Sequence, residues 1–132
     1  PDLAKLVGSD AKVKIVYREL PILSEESSDA AKVSLLAAER GQYMAYHKAL
    51  YGAGKVTRDT IVAAAAKAGI SKVDAEAAMA SSKYDAEIQS NIALAQKLQA
   101  SGTPTFVIGD QVLNGAVGFD ALKSGVAAAR GK

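Results

Sequence analysis

The chain has 132 residues, 49% hydrophobic and 23% charged, the size and balance of one globular domain around one core. Its formal net charge is +2 with Lys and Arg scattered, and no stretch approaches roughly 18 uninterrupted apolar residues, which argues against a basic nucleic-acid face and a membrane helix. Cysteine is absent, so these residues hold no disulfide, thiolate nucleophile or thiolate metal site.

The chain starts at Pro1 rather than Met, without the charged start and apolar middle of a secretory leader. It reads as a processed or truncated protein, or one whose upstream part is not among these residues. Pro1 to Val7 reads as the last turns of a helix stopped by Gly8. Lys12 to Leu20 reads as the first strand: Val13, Ile15 and Tyr17 share one face, Lys12, Lys14 and Arg18 the other, and Pro21 ends it. Val16 breaks the alternation, which suits partial cover on both faces.

Ser24 predicts an N-cap, with Glu25 and Glu26 in the first turn of a helix that reaches about Arg40 and stops at Gly41. Tyr43 to Tyr51 predicts a second helix ended by Gly52-Ala53-Gly54. Thr57 and Asp59 open a third, closed by Gly69. Ser71-Lys72-Val73-Asp74 and Ser82-Lys83-Tyr84-Asp85 resemble capping boxes, the second starting a long helix to about Ala100. Its inward stripe is Ile88, Ile92 and Ala95, with Leu94 and Leu98 alongside, and Gly102 stops it. Thr105 to Ile108 then predicts a buried strand, Gly109-Asp110 a two-residue type II′ turn, and Gln111 to Leu113 the returning strand. After Gly115 and Gly118, a last helix places Phe119, Leu122 and Val126 on one face.

Gly102-Thr103-Pro104-Thr105-Phe106-Val107-Ile108 is the most informative run. A proline between a helix and a strand must sit where no ladder N–H is needed, and at an X-Pro bond the cis form costs only about 0.5–1 kcal/mol. A cis bond would turn the Thr103 backbone outward, free to pair with another chain. Taken alone, the dipeptide is an ordinary loop proline, since about 5–6% of X-Pro bonds are cis.

Three segments in order resemble the DsbA-like branch of the thioredoxin superfamily: PDLAKL leading into YRELPILSEES, the Tyr-x-x-x-His-x-Ala-Leu pattern of Tyr43 to Leu50, and SGTPTFVIGDQVLNGAVGFDAL. Together they cover nearly the whole chain. The resemblance implies an α/β, thioredoxin-like fold, incomplete here, with an α-helical insertion between the first strand and the C-terminal β-hairpin. It implies one domain over 1–132, a helical insertion over about 24–101 and a β-β-α unit over 103–130. It also implies thiol–disulfide exchange on protein or peptide substrates, a redox partner protein, no cofactor and a bacterial periplasmic location. Thr103 and Pro104 would be the substrate-docking loop. The catalytic Cys-x-x-Cys and the central strand would lie upstream of Pro1, between Lys12–Leu20 and Thr105–Ile108 in the sheet. Without that strand both edges stand unpaired, open to strand exchange between chains. The alternative is a redox-inactive peptide-binding or scaffold domain; a glutathione-dependent transferase or isomerase fits the hairpin and Thr-Pro loop less well.

Three other candidates stand on residue chemistry. His47, the sole histidine, reads as a packing residue because no Cys or carboxylate cluster assists it. Arg18-Glu19 reads equally as a proton acceptor for a neighbouring thiol or as a solvated strand end or surface ion pair. Glu25, Glu26 and Asp29 read as dipole capping, and neither a Ser-His-Asp set nor a phosphate loop is present.

Overall fold

The structure, a computed structural model, describes residues 1–21 and 24–131; Ile22 and Leu23 of the YRELPILSEES segment lie outside the described residues. In chain order the elements are α1 (Asp2–Ser9), α2 (Glu25–Glu39), α3 (Tyr43–Gly52), α4 (Arg58–Lys67), α5 (Lys72–Ala80), α6 (Asp85–Lys97), β1 (Thr105–Ile108), β2 (Gln111–Asn114) and α7 (Phe119–Arg130). They form two compact units, one of Glu19–Ile92 and one of Pro1–Arg18 with Ala93–Lys132.

The first of these units is helical and owns the large core. Val33, Ala37, Tyr46, Ile61, Ile70 and Ala75 are each withdrawn from solvent there. Alanine is frequent at the buried positions of α2 and α4, so helix axes approach closely without long side chains between them. The helix starts follow the caps read from the sequence. Ser24 Oγ accepts from Ser27 N at 3.3 Å, and Ser71 Oγ accepts from Asp74 N at 3.1 Å. Thr57 and Thr60 close a reciprocal box, Thr60 Oγ1 accepting from Thr57 N at 2.8 Å.

At the other helix ends, Gly41 (φ 70°) and Gly69 (φ 84°) take the left-handed conformation that lets Gln42 N reach Ala37 O and Ile70 N reach Ala65 O, each at 2.8 Å. The same closure ends α6 early. Gln99 takes φ 56° and Ala100 N bonds Ala95 O at 2.9 Å, so the helix stops at Lys97 rather than at the expected Ala100. Its start also differs: Ser82 supplies its carbonyl to Asp85 N at 3.2 Å, while the Ser81 hydroxyl takes Lys83 N at 3.0 Å. Along α6, Leu94 is exposed and Asn91 is buried, so the inward stripe is tilted from the expected one.

The second unit is thinly packed. Leu6 of α1 and Leu122 of α7 are its buried apolar side chains. Lys5 lies 4.6 Å from the Phe119 ring centroid, and Arg130 grips Asp10 with both guanidinium nitrogens. That grip holds the Asp10 carboxyl below the usual range. Helix α1 runs through Gly8 to Ser9 instead of stopping there. Gly125 on α7 permits close contact with β1, because a Cβ there would lie 3.0 Å from Ile108 Cδ1.

The sheet has two strands. β1 pairs antiparallel with β2 in the register Thr105↔Asn114 to Ile108↔Gln111, across a turn with Gly109 at φ 62°. The strand expected at Lys12–Leu20 is not part of a ladder among the described residues. Its exposure still alternates as a strand's would, with Val13, Ile15 and Tyr17 half-buried and Lys14, Val16 and Arg18 exposed. The side chains adopt the strand's period although the segment joins no ladder among the described residues. β1 is half-buried rather than buried: Val107 is 56% exposed.

Candidate functional site

The Thr103-Pro104 loop sits at the entrance to β1, and the Thr103–Pro104 bond is cis. Three hydrogen bonds fix the loop. Thr105 Oγ1 donates to Gly102 O at 2.6 Å, Gly115 N donates to Pro104 O at 2.8 Å, and Asn114 Oδ1 accepts from Ser101 N at 3.3 Å. Thr103 and Pro104 are both exposed, and Thr103 makes no hydrogen bond among the described residues. Sequence reasoning missed Asn114. Its only signal was an Asn at the end of the strand opposite the loop, a position as common in turns as in loop anchors.

The ladder determines which way β1 points its polar groups. With Pro104 bonded to Gly115, the alternation of an antiparallel pair makes Phe106–Leu113 and Ile108–Gln111 the bonded pairs. Thr105 and Val107 therefore turn their N–H and C=O away from β2, on the same edge as Thr103. Facing that edge are residues 13–16. Between them lies a cleft of about 300 Å³, walled by Val13 to Val16 on one side and Thr105 to Gly109 on the other. Leu3 and Leu6 of α1 and Leu122 and Val126 of α7 also line it. The two segments expected to flank a central strand are thus separate, with β1 paired only to β2.

Glu19 occupies a different environment, inside the helical unit. Its Oε1 accepts from the Tyr43 hydroxyl at 2.6 Å, the Ser34 hydroxyl also bonds the carboxyl, and Asn91 Nδ2 donates to its main-chain carbonyl at 3.0 Å. Ser34 and Asn91 are the buried polar residues of the core. This corrects the reading of Glu19 as a solvated strand end. Burial pushes its carboxyl pKa up, partly offset by the Tyr43 and Ser34 hydroxyls, and the charge of Glu87 adds a smaller push the same way.

A raised folded-state pKa has a definite consequence. Between the ordinary carboxylate value and the raised one, the folded chain binds more protons than the unfolded chain, so stability falls as pH rises through that window. Glu19→Gln keeps an acceptor for Tyr43 and removes the charge. Urea denaturation is expected to show the variant more stable than the parent at neutral pH, with the difference vanishing in acid. A wild-type stability that rises with pH across the window, and loses that rise in the variant, would contradict this.

His47 packs between Tyr43, 5.7 Å away centroid to centroid, and Tyr51 at 4.4 Å, and its pKa is lowered by burial. A smaller cleft of about 210 Å³ in the helical unit is bordered by Arg40 and Asp74, paired at 2.9 Å, and by Lys83, paired with Glu39 at 3.0 Å. Its charges are already matched. Among the described residues no group of His, Asp and Glu gathers to hold a metal ion, and no helix is long and apolar enough to cross a membrane.

Comparison with known proteins gives the fold and site a context. A family model described as a DSBA-like thioredoxin domain matches residues 1–127. A thioredoxin-like oxidoreductase from Silicibacter pomeroyi DSS-3 is 37% identical with a TM-score of 0.92, over 99% of this chain and 76% of that one. A periplasmic thioredoxin-like protein from Salmonella enterica serovar Typhimurium is 30% identical with a TM-score of 0.85, over 100% of this chain and 75% of that one. Proteus mirabilis ScsC, in a compact conformation, is 28% identical with a TM-score of 0.87, over 100% of this chain and 74% of that one. No curated protein matches the chain. The fold is thioredoxin-like and helix-rich, with a two-stranded antiparallel sheet.

Proposed function

We infer the function from one premise: the chain belongs to the DSBA-like thioredoxin domain family. The protein is a thiol–disulfide oxidoreductase acting on protein or peptide substrates in the periplasm, and Thr103 and Pro104 are where the substrate backbone docks. The observation that carries this reading is the exposed Thr103, its main-chain groups unpaired among the described residues, at the head of an open strand edge. Such an edge takes an extended peptide by main-chain hydrogen bonds, with little regard for its side chains. The exchange itself needs a cysteine pair carried outside these 132 residues. One thiolate attacks a substrate disulfide sulfur, breaking that S–S bond, releasing the other substrate sulfur as a thiolate and forming a mixed disulfide. The second thiolate of the pair then attacks its neighbour's sulfur, releasing the remaining substrate thiolate and leaving the pair as a disulfide. Oxidation of a substrate dithiol runs the same steps in reverse. The likeness to an oxidoreductase and to a periplasmic protein supports both the activity and the location. A redox partner protein would restore the cysteine pair after each turnover.

The absence of cysteine favours a second reading for these residues by themselves, a redox-inactive peptide-binding domain. One pair of measurements separates the two. The full natural protein is expected to oxidise or reduce a dithiol peptide catalytically, while the 132-residue chain is inert but still binds the peptide. Pro104→Ala in the full protein should raise KM for the peptide by roughly tenfold, about 1.4 kcal/mol of lost docking. A full protein without a cysteine pair, or inert with one, would leave the binding reading alone standing.

A further inference from the structure

We propose that Asn114-Gly115 is a self-modifying site: the Asn114 carboxamide closes on the main-chain nitrogen of Gly115, loses ammonia, and opens in water to an aspartate or isoaspartate. This goes beyond the exchange chemistry proposed above and does not depend on it. The chain has two asparagines, and they sit in opposite settings. Asn91 is buried in α6, donates its amide to Glu19 O at 3.0 Å, and precedes Ile92, whose branched side chain crowds the next nitrogen. Asn114 ends β2, is exposed, and precedes Gly115, where a Cβ would meet nothing within 4 Å. An Asn-Gly pair ordinarily serves as a hairpin turn. Here Gly109 and Asp110 make the turn, and Asn114-Gly115 lies at the far end of the ladder.

Each atom of the step has a contact that sets its part. Ser101 N donates to Asn114 Oδ1 at 3.3 Å, which polarises the carbonyl and supports the negative charge that gathers on that oxygen when Cγ is attacked. The leaving nitrogen, Nδ2, makes no hydrogen bond among the described residues. The nucleophile is restrained instead. Gly115 N donates to Pro104 O at 2.8 Å, so its proton is held away from base until this last rung of the hairpin opens. Once it opens, the proton passes to hydroxide and the nitrogen's electron pair bonds Asn114 Cγ. The Cγ–Nδ2 bond then breaks, and Nδ2 takes a proton from water and leaves as ammonia. Water next opens the succinimide at one of its two carbonyls. Addition at Cγ restores the backbone with a carboxylate on the side chain; addition at the main-chain carbonyl routes the backbone through Cγ, one methylene longer. Either product lowers the formal net charge of +2 by one. The aspartate keeps an acceptor for Ser101 N. The isoaspartate lengthens the chain between the partners of Thr105 and Pro104, so Gly115 loses its register with Pro104 and the loop loses that fastening.

The test incubates the full natural protein at mildly alkaline pH and follows it by peptide mass mapping, enzymatic methyl labelling of isoaspartate and isoelectric focusing. Asn114 is expected to convert while Asn91 does not, at a rate that rises with hydroxide. That rate should lie roughly tenfold below the rate in denaturing urea and follow hydrogen exchange at the Gly115 amide. Asn114→Gln, which must close a larger and slower ring, should remove the acidic variant from the focusing gel. No conversion at Asn114 in the folded protein, over a time in which the urea-unfolded protein converts, overturns the site. An acidic variant that persists in Asn114→Gln places the modification elsewhere and overturns the assignment. Conversion as fast folded as unfolded overturns the hold of the Gly115–Pro104 bond. Conversion of both asparagines in the ratio seen in urea makes global unfolding the route and overturns the local opening.

Discussion

Tyr46→Ala should destabilise the protein by about 3–5 kcal/mol, a large share of the roughly 5–15 kcal/mol that holds a domain folded. Tyr46 is fully buried in the helical core, and its hydroxyl donates to Ala30 O at 3.2 Å. Truncation removes the ring from among α2, α3 and α4 and leaves a cavity that these Ala-lined helices cannot close by side-chain rearrangement. Tyr46→Phe should cost only about 1 kcal/mol, the net worth of one hydrogen bond. Burial pushes the Tyr46 hydroxyl pKa up, with the nearby Glu19 charge acting the same way, so it remains a donor throughout the range in which proteins fold. Urea denaturation followed by circular dichroism measures both variants. Equal losses for Ala and Phe would mean that the hydroxyl, not the ring, carries the effect.

The helical unit was readable because its signals are local. Ser24, Thr57 and Ser71 each cap the helix that follows, and Gly41 and Gly69 each end one through a left-handed residue. The errors fell where a non-glycine residue took that role, as Gln99 does, or where one serine substituted for its neighbour, as Ser81 does for Ser82. Neither choice has a sequence signature, because each depends on how the preceding helix is already packed. The Lys12–Leu20 error is different in kind. Periodicity reports which side chains face a core, and here it reported correctly. A strand also needs a bonded neighbour, and no pattern within the segment reveals whether one is present.

The site was readable only through the arrangement of several segments. Thr103-Pro104 is a weak signal alone and gains meaning from the helix before it and the hairpin after it. Asn114, which holds the loop from across the hairpin, became visible only with the register. Glu19 shows the opposite limit. A charged residue at the end of an alternating run reads as solvated, yet Tyr43 and Ser34 of two later helices supply the hydroxyls that let it be half-buried. Long-range polar partners of this kind leave no trace in spacing.

The unequal share of core between the two units should appear in hydrogen exchange. Amides of α2 and α4 should exchange on the order of a hundredfold more slowly than those of the β1–β2 hairpin in the same sample. The helices lie in a core with Val33, Ala37 and Ile61 fully withdrawn from water, so exposing their amides requires opening most of the unit. The hairpin has one bonded edge, one open edge and the half-exposed Val107. A two-stranded sheet is marginal in water, and here it rests mainly on α7 through the Ile108–Gly125 contact. Hairpin amides as slow as those of α2 would show that the open edge of β1 costs the hairpin nothing.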